Sequence, residues 1–283
     1  MQLLLANTKL EEVIYFFTHR GLKDQNAFGE MGKRKAILRK SLEALSTREA
    51  FDCYTGKGIL SIYENDLRSA ISHFKYAYNM TNHSVSSSMN YANVLMLNGE
   101  HTSAIEIYMA AISNAQNDKQ VFSDIFKTLC PYGYLKEVEQ LREIASIELN
   151  DEQERLLKIA NKTSKFLSEI SVPLEIFRFY RTLMDTVFYK YFTFTSDYRE
   201  ETQCDLSRSQ FSTTIYLPLN ESDESAEFVL GQMNDDFQDL ILTKRRECYS
   251  ETLSEFRKVS ERLNYYFGLD YSYKHENDNQ QVA

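Results

Sequence analysis

The sequence predicts a mainly α protein, an α-solenoid of antiparallel helix pairs followed by a small α+β C-terminal module. Only 9 Gly and 3 Pro stand among 283 residues, too few breakers to divide the chain into many short strands. Small and aromatic side chains recur at an interval of 34 residues in the first half. Convincing period-two alternation of β-branched and aromatic residues begins only near residue 192. The length suits two domains or a solenoid with an appendage, here residues 1–171 and 172–270, with a polar tail over 271–283 that is expected to be disordered.

The chain opens with two expected helices, Leu3 to Thr18 and about Lys33 to Leu45, separated by Gly21 and the stretch Asn26 to Gly32. They read as a cap on a stacked array of helices, because the end of such an array needs an atypical outer face. Ser46-Thr47-Arg48-Glu49 has the form of a capping box opening the next helix.

The repeat begins there. Ala70, Phe74 and Ala77 share one helical face, and Ala104, Tyr108 and Ala111 restate that face 34 residues later. Gly58 and Ala92 each fall twelve residues before the leading alanine, where small side chains let paired helices approach closely. Asn65 and Gly99 occupy the turns between helices, where both tolerate a left-handed backbone. A weaker third unit has Gly133, Leu135, Val138 and Ala145 in register, with Arg142 in the aromatic slot.

Residues 51 to about 150 therefore resemble the tetratricopeptide repeat family, whose period is 34. Tyr54 stands where the family prefers Trp, Lys57 replaces the usual Leu, Ser88 the usual Trp, and no Pro closes either repeat. The resemblance implies a concave surface, lined by the first helix of each pair, on which peptides or partner helices dock. The positions that match are Thr55, Ile59, Ile62 and Tyr63, then Met89, Asn93, Met96 and Leu97. Met adapts its shape to a ligand and Asn93 can bond a peptide backbone, although Ile59 and Leu97 suit packing beneath a neighbouring helix equally well. Some members grip the terminal carboxylate of chaperone tails with Lys and Asn. Asn90 occupies one such place, but Thr55, Ile59, Gln120 and Asp124 stand at the others, which argues against that ligand.

Asn150-Asp151-Glu152-Gln153 is a second capping box, opening a helix to about Glu169 that closes the array. At Ser171-Val172-Pro173 the pattern changes, with Ser171 as the expected cap of an aromatic-rich helix from Leu174 to about Phe188. Two strands are expected next, one with Phe192 and Phe194 alternating with Thr193 and Thr195, the other from Phe211 to Leu217. The acidic stretch between them, with Asp197, Glu200, Glu201 and Asp205, reads as a mobile linker. Two helices complete the module, Asp223 to about Thr243 and about Glu247 to Phe267. Because two strands alone are marginal, the strands must lie on these helices, gain further strands, or pair with another chain.

A net charge of −9 disfavours broad binding to polyphosphates or anionic membranes. The basic clusters Lys33, Arg34, Lys35, Arg39, Lys40 and Lys244, Arg245, Arg246 read as a solvated helix face or helix end. Cys53, Cys130, Cys204 and Cys248 are widely spaced, which suits reduced thiols and a cytoplasmic setting. No leader or membrane span is expected, since the best apolar run, Val13 to Phe17, is five residues long. No phosphate loop, serine elbow or H-E-x-x-H appears, and His19, His73, His83, His101 and His275 read as surface residues. Asp235, Asp236 and Asp239 read as an acidic face, and Cys204, beside acids, as a poor nucleophile. The expected function is a non-enzymatic adaptor or regulatory subunit with a protein or peptide partner, no cofactor or metal, no membrane role, and self-association through the C-terminal module. A nucleic-acid-associated protein using the Lys33 to Lys40 helix, or an enzyme with an unread site in that module, are the alternatives.

Overall fold

The computed structural model describes residues 13, 21–23, 30–44, 50–115, 118–193, 198–219, 225–247, 259 and 261–269. Among them are ten helices and one three-stranded sheet. In chain order these are α1 (Glu30–Ala44), α2 (Ala50–Tyr63), α3 (Leu67–Met80), α4 (Val85–Leu97), α5 (His101–Asn114), α6 (Lys119–Leu129), α7 (Leu135–Ala145), α8 (Asp151–Glu169), α9 (Leu174–Tyr191), β1 (Arg199–Asp205), β2 (Gln210–Leu217), α10 (Ala226–Glu247) and β3 (Leu263–Leu269). The chain divides into two compact units, Met1–Lys158 with Tyr189–Thr195, and Ile159–Phe188 with Ser196–Ala283. The division runs through α8 and α9 rather than at Ser171.

In the first unit α2/α3, α4/α5 and α6/α7 are consecutive hairpins, and α1 packs on α2. Each hairpin turn is closed in one way. Asn65 N–H donates to the Ile62 carbonyl and Asp66 N–H to that of Ser61. Thirty-four residues on, Gly99 bonds Met96 and Glu100 bonds Leu95; at the next step Gly133 bonds Cys130 and Tyr134 bonds Leu129. Asn65, Gly99 and Gly133 have φ of 62°, 82° and 69°, the left-handed turn that such paired caps require. Beyond each turn the small-residue face is interior: Ala70, Ala77, Ala104, Ala111, Val138 and Ala145 are all buried, as are Phe74 and Tyr108. Gly58 explains the close approach within the first hairpin, since a Cβ there would stand 2.7 Å from the Phe74 ring. Phe126 fills the corresponding third-unit place, so the small-residue rule lapses as the aromatic slot passes to Arg142.

Two further expectations about caps resolve differently. At Asn150 the box is reciprocal: Gln153 N–H donates to Asn150 Oδ1 at 2.9 Å and Asn150 N–H to Gln153 Oε1 at 3.1 Å. Ser171, however, is not the cap of α9. With φ of 55°, it closes α8 through bonds from Ser171 to Ser168 and from Val172 to Leu167, while the Pro173 carbonyl accepts the first bonds of α9.

In the second unit β2 is central, antiparallel to β1 and parallel to β3. The inner face of the sheet carries Phe211, Thr213, Ile215 and Leu217 beside Leu263, Tyr265, Phe267 and Leu269, all buried. Phe166 and Phe177 pack against Phe211, Tyr180 stacks parallel on Tyr265 at 5.3 Å, and Phe237 of α10 meets both Tyr265 and Phe267.

Three expectations are corrected here. Residues 263–269 are a strand, not the end of a helix running from Glu247 to Phe267. Val259, Leu263 and Phe267 are four apart, a spacing that serves both a helical face and a strand face, and pairing with β2 selects the strand. The acidic stretch read as a linker contains β1, whose alternation is polar on both sides and so carries no hydrophobic signal. Of the strand expected from Phe192, the described part makes an isolated antiparallel bridge, Phe192 with Leu22. Phe194 and Thr195, the Ser46 capping box, the helix Leu3 to Thr18 apart from helical Val13, and the tail from Tyr271 lie outside the described residues. Among the described residues no helix is long and apolar enough to cross a membrane.

Candidate interaction face and buried polar centres

The eight positions singled out on α2 and α4 do not present one open surface. Thr55, Ile62, Tyr63, Met96 and Leu97 are buried; Ile59, Met89 and Asn93 are half-buried. Tyr63 belongs to a core with Val13, Leu38, Leu42 and Leu60, against which Ile59 packs, so α1 and Val13 cover that part of α2. Ile62 joins Ala70, Phe74 and Val94 in a second core. A periodic pattern identifies a face of a helix, but here it could not say that the chain itself lies against that face.

What remains accessible is centred on α4. Asn93 Oδ1 accepts from the hydroxyl of Tyr108, and the Asn93 amide N–H2 makes no hydrogen bond among the described residues. Tyr108 is fully buried on α5; burial raises its phenol far above the usual range, opposed by its hydrogen bond with Thr128 and reinforced by the charge of Asp124, both on α6. Asp124 accepts from Gln120 Nε2 at 2.8 Å, and partial burial raises its carboxyl, opposed by that bond and by Lys127. Half-buried Met89 lies one turn before Asn93. The Tyr108 hydroxyl thus has the Asn93 amide of α4, with Met89 one turn before it, and the Asp124 carboxylate of α6 as polar neighbours.

Sequence reasoning missed Lys23. Residues 21–23 pair with 191–193 through Lys23 N–H to the Tyr191 carbonyl and Thr193 N–H to that of Gly21. The Lys23 side chain is 5% exposed and donates to the carbonyls of Ile62 and Tyr189 and to Asn65 Oδ1, with its Nζ 5.6 Å from the centre of the Tyr63 ring. It thus sits at the C-terminal ends of α2 and α9, where the helix dipole favours a cation, and gives the Ile62 carbonyl a second donor beside the Asn65 N–H. Burial, and then Lys35, lowers its pKa to about 7. No local pattern marks it, because its partners lie 39, 42 and 166 residues away.

The second unit holds a different buried centre. Arg181 on α9 is 3% exposed and donates to Glu200 through Nη1 and to the Tyr198 hydroxyl through Nη2, while its Nε lies 3.6 Å from Asp185. Tyr198 in turn donates to Asp185 at 3.0 Å. This network joins α9 to the start of β1 and explains why an acidic segment forms a strand. Beside it, the hydroxyls of Thr213 and Tyr265, adjacent in the β2–β3 register, are buried without a hydrogen-bond partner among the described residues.

The other candidates are quiet. Arg39 is held by both carboxylate oxygens of Glu64 at 2.8 Å, and Lys35 lies over the Tyr63 ring, so two members of the first basic cluster are already engaged. Lys244, Arg245 and Arg246 fall in the last turn of α10, where the helix dipole favours cations. Asp235 and Asp239 are exposed, and among the described residues no group of three or more His, Cys, Asp or Glu could hold a metal ion. Of the histidines, His101 is bonded to the Tyr134 hydroxyl at 2.8 Å, and His83, itself exposed, stacks on Tyr78. Cys204 is half-buried, and burial, ahead of any neighbouring acid, is the first cause of its raised thiol pKa. Comparison with protein-family models, with curated proteins and with solved structures finds no match to the chain.

Proposed function

We propose that residues 50–145 form a tetratricopeptide-like solenoid and that the chain is a non-catalytic interaction scaffold, an adaptor or regulatory subunit that holds a partner polypeptide. The observation that carries this reading is the recurrence of one two-bond cap at Asn65, Gly99 and Gly133. A turn repeated at constant interval makes successive hairpins alike, and the stacking of like units is the construction principle of a solenoid. The docking strip is the α4 face carrying Met89 and Asn93, with Gln120 and Asp124 of α6 beside the Tyr108 hydroxyl, and Ile59 at its margin. An extended peptide suits it, offering a carbonyl to the Asn93 amide and an N–H or a cationic side chain to Asp124.

Asn93→Asp tests the strip without disturbing the core, because the new side chain still accepts from Tyr108 but has no N–H2 to offer. Tagged chain recovered from its native cells should lose its partner when Asn93→Asp is combined with Met89→Ala, while the melting temperature stays near that of the parent. Retention of every partner by this variant would remove the strip from consideration. Tyr63→Ala is unsuitable, since Tyr63 lies in the core with Leu38, Leu42 and Leu60.

A further inference from the structure

The chain is acidic as a whole, yet its charge is unevenly spread. Residues 67–99 contain no Asp or Glu, where 41 acids among 283 residues would place several, and they carry Arg68 and Lys75. Screening makes this local balance decisive, because at physiological ionic strength charges farther away than about 8 Å are largely damped. Asp66, which caps α3 by accepting from the Ser69 N–H, is the acid just before the run and acts on Arg68 at that end of the helix.

On α3 the run builds a distinctive outer face. Arg68, Ser72, Lys75 and Asn79, three or four residues apart, form one exposed row. Helical spacing sends Tyr76 and Tyr78 to opposite sides of that row, and each belongs to an aromatic stack. Towards α2, Tyr76 lies on Tyr54 with ring centres 4.0 Å apart, and the Lys57 ammonium is 5.4 Å from the centre of the Tyr54 ring. Towards α4, His83 stacks on Tyr78 at 4.0 Å with the planes 10° apart, and Tyr78 meets Tyr91 at 5.4 Å. Tyr76, 46% exposed, and His83, also exposed, are the outward rings of the two stacks.

We propose that this face of α3 binds single-stranded nucleic acid, with bases stacking on Tyr76 and His83 and phosphates held by Lys57, Arg68 and Lys75. A ring already stacked on one side loses little freedom when a base covers the other, and such stacking accepts any base. The row between the stacks offers Arg68 and Lys75 with no acid in the run to compete with phosphate. The Lys33 to Lys40 helix is less suited, because Arg39 there is already held by both oxygens of Glu64. A duplex keeps its bases inside and would meet the cations alone, and an acidic peptide would leave both stacks unused. The site does not rest on the groove reading, since Met89 and Asn93 take no part in it.

The test titrates the full chain into labelled oligothymidylate and reads fluorescence anisotropy across a range of salt. Binding should weaken with a logarithmic salt slope of about −2, which is about −0.7 for each of three phosphates on a single strand. Lys75→Gln should make that slope shallower by about 0.7. Tyr76→Ala and His83→Ala should each weaken binding by about tenfold, whereas Tyr76→Phe and His83→Phe should keep it, because the ring face does the stacking. Melting temperatures of these surface variants should stay near that of the parent. Asn93→Asp with Met89→Ala should leave oligonucleotide binding intact, so the groove and this face stand or fall separately. Absence of binding at low salt overturns the proposal. So does binding that survives Tyr76→Ala combined with His83→Ala, or binding abolished by Lys33→Gln with Lys40→Gln. Polyglutamate bound as tightly as oligothymidylate would overturn it as well, in favour of an acidic protein partner.

Discussion

The two units satisfy their buried polar groups over very different stretches of chain. In the first, each hairpin closes its own turn with bonds no longer than five residues, and the next hairpin repeats them, as Asn65–Ile62 is repeated by Gly99–Met96 and Gly133–Cys130. In the second, the closing contacts are distant: Phe211 lies against Leu263, Asn234 caps Phe267 33 residues away, and Arg262 donates to the Ile170 carbonyl across 92. A local design confines a defect to one hairpin, whereas a non-local one lets the loss of a single side chain undo several elements at once. The contrast predicts where substitutions will hurt most.

The largest effect is expected at Arg181. Its removal by Arg181→Ala leaves Asp185, 7% exposed, and the half-buried Glu200 of β1 without this cation. Breaking a buried pair in this way costs about 3–5 kcal/mol, since the carboxylates lose their compensation and regain no water. Urea unfolding followed by hydrogen exchange should show β1 and β2 losing protection while α4 and α5 keep theirs. Protection lost equally from α4 and α5 would mean that the local and non-local regions do not differ as described.

Lys23 sharpens the comparison, because it makes non-local contacts within the first unit. Its folded pKa of about 7 lies below the value near 10.4 of a lysine in an unfolded chain, so between these values the unfolded state binds the additional proton. Stability from this residue is therefore full above about pH 10.4, falls as pH is lowered, and is lost by about pH 7. The slope is at most about 1.4 kcal/mol per pH unit, and the three oxygens that accept from Nζ make it shallower by favouring the charged form. Lys23→Met abolishes the slope. Melting curves of parent and variant should diverge in favour of the parent as pH rises from 7 towards 10, and a constant difference would show that Lys23 keeps its proton throughout.

The same distinction decides what could be read from the sequence. Asn65, Gly99 and Gly133 were legible because a left-handed turn has its own preferred residues, and the Asn150–Gln153 box because both of its bonds lie within four residues. β1 was not, since what makes Glu200 tolerable in a strand is Arg181, 19 residues earlier on another element. β3 was misread because positions four apart satisfy a helix and a strand alike. At the interaction face, helical spacing grouped Ile59, Ile62 and Tyr63 as a docking surface, but Tyr63 and Ile62 lie in two different cores, and Leu38 and Leu42 had to be brought onto α2 before that burial could be seen. Asn93 was legible as a polar position on α4, while the Tyr108 hydroxyl that donates to its Oδ1 was not, lying 15 residues away on the next helix.

The smallest effects are expected at the repeated turns, and they test repetition most directly. Gly99→Ala and Gly133→Ala each place a Cβ at φ of 82° and 69°, at a cost of about 1 kcal/mol apiece. The two caps share no hydrogen-bond partner, so the double variant should lose about the sum in urea titrations. Asn65→Ala should depart from that rule. Alanine is strained there too, but the side chain it replaces also accepts from Lys23 and donates to the Lys190 carbonyl, so the loss should exceed that at Gly99. In a Lys23→Met background, where part of that bonding is already gone, the extra cost of Asn65→Ala should shrink while the cost of Gly99→Ala stays the same. If all three turns respond alike in both backgrounds, the first turn carries no duty beyond the repeat, and the link through Lys23 is not energetically coupled to it.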